Sequence, residues 1–93
     1  MQEPGKTLDE MTLRERTNII SMVAQALEES AEEAQDIGDV RYAANSTSLA
    51  KTIRGFVGDL SQRELRAATI LLEQGISLIA SFEGRMRPEC QLH

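Results

Sequence analysis

Hydrophobic positions recur along this chain at intervals of three and four in three blocks, a spacing that predicts helices and not strands. The most apolar block is residues 64–82, ELRAATILLEQGISLIASF. On a helix, Leu65, Ala68, Leu72, Ile76 and Ile79 form one stripe, and Ala67, Leu71, Leu78 and Phe82 form a second beside it. Together they span about half the circumference, wider than the roughly 100° arc of a helix with one packing partner. This helix is expected to have neighbours on two sides.

The first block places Leu13, Ile20, Val23, Ala24, Leu27, Ala31 and Ala34 on one face, widened by Ile19, Ala26 and Ile37. Two capping boxes stand in tandem before it, Thr7 with Glu10 and Thr12 with Glu15, so the helix begins between residues 8 and 13. Gly38 is the expected stop, because a residue without Cβ takes the left-handed conformation readily. Asp39 then caps a second helix whose buried face holds Tyr42, Leu49, Ile53, Phe56 and Leu60, with Ala43, Ala50 and Val57 alongside. That helix is expected to continue through the weak stretch 45–48, NSTS, and to end at Gly58, with Gly55 allowing close approach of another backbone. Ser61 and Glu64 form a third capping box, with Leu60 and Leu65 at the staple positions. Gly84 and the Arg87-Pro88 step mark the end of the third helix.

The predicted helices cover about 8–37, 40–57 and 62–83 in a single domain, 1–93, with 1–6 and 88–93 as disordered tails. Turns of two to four residues make successive helices antiparallel. The fold class expected is all-α, a three-helix antiparallel bundle. The wide apolar arc, with Ile70 on the polar side of the same helix, predicts a homodimer through Ala67, Ile70, Leu71, Leu78 and Phe82.

Composition narrows the picture further. A chain of 93 residues buries only roughly 60–65% of its unfolded surface, so its stability margin is thin unless a partner covers more. Tyr42, Phe56 and Phe82 are its only aromatic residues, so the core must be aliphatic. Its one cysteine, Cys90, suggests a reducing compartment. The polar N-terminal stretch lacks the apolar segment of a signal peptide. The best apolar run, 67–72, stops at Glu73, so neither a membrane span nor a membrane partner is expected. These features together predict a cytoplasmic protein.

Charge is the most informative asymmetry. The net charge is −5, yet residues 28–39, EESAEEAQDIGD, carry six acids and no base, leaving nine acids against ten Lys and Arg elsewhere. Glu28, Glu29, Glu32, Glu33 and Asp36 fall opposite the apolar face, and Asp39 follows. Glu28/Glu32, Glu29/Glu33 and Glu32/Asp36 are like-charged neighbours at i,i+4, each costing roughly 0.2–0.5 kcal/mol, in a half of the helix where acids also oppose its dipole. Two roles suit such a face: a solvated surface neutralised by Arg85 and Arg87, or a docking site for a protein with a basic surface.

Other chemistry finds little support. The only histidine, His93, is the last residue, where nothing fixes it as a general base. Cys90 and Ser46, Thr47 and Ser48 lack a positioned partner for nucleophilic work. The acids lack the calcium-loop order, and a di-iron bundle needs histidines that are absent, so no metal or other cofactor is expected. Lys51, Arg54, Arg63 and Arg66 are scattered among acids and make no basic stripe for nucleic acid. The expected function is therefore non-enzymatic: a protein-binding regulator or inhibitor, of the antiactivator, anti-defence or antitoxin-like kind, covering a partner's functional surface. The alternative is a structural or secretion-chaperone-type oligomeric subunit.

Overall fold

A computed structural model describes residues 7–85, in which every regular element is helical. The expected tails, with Arg87, Cys90 and His93, lie outside the described residues. Both N-terminal capping boxes form. The first closes a 3-10 turn, Leu8–Glu10, where the Thr7 N–H donates to Glu10 Oε1 at 3.2 Å. The second starts α1, Leu13–Asp36: the Thr12 N–H donates to Glu15 Oε1 at 2.9 Å, and the Glu15 N–H to Thr12 Oγ1 at 3.1 Å. The short turn carries Leu8 into the core, where it is 5% exposed.

Gly38 ends α1 at φ +86°, as its lack of Cβ allows. Around it the Asp39 N–H reaches back to the Ala34 carbonyl (2.8 Å) and the Gly38 N–H to that of Gln35 (3.1 Å), the paired bonds of a Schellman end. Asp39 then caps α2, Val40–Arg54, by accepting from the Tyr42 N–H. The helix passes through residues 45–48 without a break.

Two boundaries differ from expectation. α2 stops at Arg54 with Gly55 as its C-cap, and residues 55–61 form a longer link in which Gly58 takes φ +76°. Val57, expected on the buried face, lies in that link and is exposed. α3, Gln62–Arg85, runs straight through Gly84, because a glycine can stay helical where the preceding apolar turns are packed. The Ser61–Glu64 box opens α3 as expected, with Glu64 Oε1 accepting from the Ser61 N–H at 2.8 Å.

The core lies where the three helices meet. Toward the start of α1 it joins Ile20, Val23 and Leu27 to Ile53 of α2 and to Leu65 and Leu72 of α3. Toward the end of α1 it joins Ala31 and Ala34 to Tyr42, Ala43 and Phe82. α1 and α2 share much the most extensive contact. The buried residues of that pair are mostly small, including Ala24, Ala31, Ala43, Ser46 and Ala50.

The phase of α3 departs from the expected stripe. Ile76 points outward, while Gly75 is buried. A Cβ built on Gly75 would lie 3.1 Å from Val23 Cγ1 and 3.2 Å from Leu27 Cδ1, so close approach happens here and not at Gly55. Leu13 and Ile37, expected on the α1 core face, are also exposed, because both sit at helix ends beyond the neighbouring helices.

Candidate protein-interaction surface

Two surfaces carry the residues singled out from the sequence. On the acidic one, Glu28 projects toward α2 and meets Arg54 in a two-point contact: Nε donates to Oε2 at 3.0 Å and Nη2 to Oε1 at 2.9 Å. These hydrogen bonds hold the Glu28 carboxyl below its ordinary range, with slight burial opposing the shift. The same contact raises Arg54. Asp39 both caps α2 and pairs with Arg85 (Nη2 to Oδ2, 3.1 Å). The Arg85 guanidinium also lies 5.6 Å from the centre of the Tyr42 ring and 5.5 Å from that of Phe82. Two of the six acids are thus ion-paired within the fold, and Arg54, not Arg85, is the partner of Glu28.

The other four face solvent. Glu29 accepts from Gln25 Nε2 at 3.2 Å one turn earlier. Glu32, Glu33 and Asp36 are exposed and make no ion pair among the described residues. Glu28, Glu32 and Asp36, spaced at i,i+4, run along a shallow groove of about 400 Å³ between α1 and α2, with Thr47 on its far wall. Its rim is acidic and its floor includes Ala31.

The second surface is the outer side of α3. Ala67 and Ile70 are exposed, and Leu71 and Leu78 are half-buried against the core. Phe82, expected at a dimer interface, is 1% exposed and stacks on Tyr42 with ring centroids 4.5 Å apart. It belongs to the chain's own core and leaves nothing for a second copy to cover. Ile70, Gln74, Ser77 and Leu78 border an open depression with Glu73 on one edge. Taken whole, α3 has the length and composition of a membrane span despite Glu73, and 28% of its most apolar stretch is buried within the chain.

A third feature escaped the sequence reading. Met11, Ile19 and Met22 form an apolar shelf beside Glu15 and Asn18, with Met22 67% exposed. The available signal was that Met22 falls well away from the Ile20–Val23–Leu27 stripe. Among the described residues, no group of three His, Cys, Asp or Glu side chains is placed to hold a metal ion. No family model, no curated protein and no solved structure matches the chain.

Proposed function

We propose that this protein works by binding another protein, as a small cytoplasmic regulator or inhibitor and not as an enzyme, and that its acidic face docks on a basic surface of that partner. Glu29, Glu32, Glu33 and Asp36 form the centre of the face, with Glu28 and Asp39 at its margins. In this reading the chain is an antiparallel three-helix unit that pairs with a second copy through α3. One observation carries the docking role. Glu32, Glu33 and Asp36 stack at helical spacing near the negative end of the α1 dipole, and no base within the described residues answers them. Repulsion of that kind is relieved by a cationic surface from outside.

The test is the triple substitution Glu29→Gln, Glu32→Gln and Glu33→Gln, assayed against the protein that co-purifies from the native host. The fold should survive unchanged or melt slightly higher at low salt. Association with the partner should slow and lose most of its salt dependence, because opposite charge acts chiefly on the on-rate. Unchanged association kinetics would reduce the face to a solubilising surface. The outer face of α3 favours a second reading, a chaperone-type or structural subunit. There Ile70→Glu would abolish partner binding and the triple substitution would not.

A further inference from the structure

The short N-terminal turn orders itself and fastens something else. Its own bonds are local: the Glu10 N–H donates to the Thr7 carbonyl at 2.9 Å, and the Met11 N–H to that of Leu8 at 3.2 Å. Thr7 and Glu10 face solvent, while Leu8 enters the core cluster of Ile20, Leu65 and Leu72. The turn makes its main contact with α3, at the other end of the chain, and not with the helix it precedes. Thr7 shares a cleft with Gln62, Leu65 and Thr69, so the crossing lies over the first turns of α3.

The connections on either side leave this contact free to open. The turn is joined to α1 by an extended pair, Met11 (φ −90°, ψ 152°) and Thr12 (φ −71°, ψ 165°). α1 carries its own capping box, Thr12 with Glu15, which satisfies the helix start whether or not the turn is in place. The link 55–61 leads into α3 with Gly58 at φ +76° and Val57 exposed. The far end of α3 is fastened separately, by the Tyr42–Phe82 stack and the Arg85–Asp39 pair.

We propose that residues 7–11 are a releasable strap, closed over the start of α3 by Leu8. Withdrawal of Leu8 lets the Leu65 end of α3 open about its Phe82 end, while α1 and α2 stay paired. An ordinary core residue loosens every element that it touches. The strap loosens one end of one helix, and it bares the apolar surface around Ile20 and Leu65. It is thus the place where an event at the N-terminus is felt in α3 and not in the α1–α2 pair. This inference goes beyond the docking role of the acidic face and does not depend on it.

Amide exchange on the full chain carrying Leu8→Asp tests the strap, because a carboxylate is not tolerated in that apolar site and holds it open. Residues 65–72 should exchange at least about a hundredfold faster than in the wild type, whereas residues 23–31 and 42–53 keep most of their protection. Far-ultraviolet ellipticity and Tyr42 emission should stay close to wild type, since the Phe82 end remains docked. Equal loss of protection in all three helices would make Leu8 an ordinary core residue and overturn the strap. Unaltered exchange at residues 65–72 would overturn it as well, because the turn would then hold nothing. If the variant does not fold, the wild type decides. There residues 65–72 should exchange through an opening that depends weakly on urea and leaves residues 78–82 protected. Exchange of both stretches in a single step would overturn the proposal.

Discussion

α1 and α2 meet through small residues, whereas α3 joins them through large ones. Along the first contact most of the buried positions are small, Ala24, Ala31, Ala43, Ser46 and Ala50 among them, beside the larger Leu27, Tyr42 and Ile53. Backbones that approach over such side chains make long, continuous contact with little apolar volume. α3 instead relies on Leu65 and Leu72 at one end and Phe82 at the other, with Gly75 between them as the point of close approach. The difference separates two kinds of robustness. A small-residue seam loses little when one side chain is trimmed, while a helix held at a few large contacts depends on each of them. α3 should therefore be the element that opens first.

Phe82→Ala is the largest expected effect, about 3–5 kcal/mol, because it empties a fully buried aromatic site. Amide exchange should quicken through α3 before it quickens through the α1–α2 pair. Uniform quickening in all three helices would erase the distinction between the two contacts.

Ser46→Ala probes the seam, with the opposite sign. The Ser46 hydroxyl is wholly buried and has no hydrogen-bond partner among the described residues. Its removal should raise the urea midpoint by the equivalent of about 1 kcal/mol, since the unsatisfied group disappears and alanine is the better helix former. A lower midpoint would mean that the seam needs the hydroxyl.

The smallest effect concerns the edge of the same seam. The folded-state pKa of Glu28 is lowered by Arg54, so the pair stabilises the fold above the ordinary glutamate range. That contribution is lost as pH falls through the lowered value. Arg54→Gln should lower stability slightly at neutral pH and leave the acid end unchanged, so that the limb between them flattens a little, as befits an exposed pair. An unaltered acid limb would show that the contact does not persist in solution.

What could be read from the sequence was mostly what is decided within four residues. The three capping boxes, the Asp39 cap and the Gly38 stop all form, because a cap satisfies backbone groups beside it whatever the rest of the chain does. The core face of α1 was also readable, since acids mark its opposite side. α3 has no such marker. With apolar residues around half its circumference, only neighbouring helices decide that Gly75 turns inward and Ile76 outward. A glycine carries no hydrophobic signal, so its burial could not be inferred from periodicity.

Two further departures have equally physical causes. Ser30 is buried although polar, because its hydroxyl donates to the Leu27 carbonyl within its own helix and meets the Tyr42 hydroxyl at 3.0 Å. Glu28 chose Arg54 over Arg85 because pairing between helices depends on their axial offset, which a helical wheel does not contain. For the candidate sites, the acidic face was found as a segment, and its division into paired and unpaired acids required that offset. Of the residues expected on the outer side of α3, Ala67 and Ile70 are exposed, Leu71 and Leu78 are half-buried, and Phe82 belongs to the core.

Tyr42 stands where the three helices converge. Its hydroxyl contacts Ser30 of α1 and donates to the Leu78 carbonyl of α3, its ring lies on Phe82, and the Arg85 guanidinium sits above it. It is also the only tyrosine in a chain without tryptophan. All tyrosine emission from this protein therefore originates at that junction. Undocking of α3 would remove a stacked ring, a cation and a hydrogen bond from the fluorophore at once, while the backbone of every helix could remain wound. Emission and near-ultraviolet ellipticity should then change ahead of the far-ultraviolet signal, without any label. The same optical channel would report whether a second copy or a partner tightens α3 onto the other two helices.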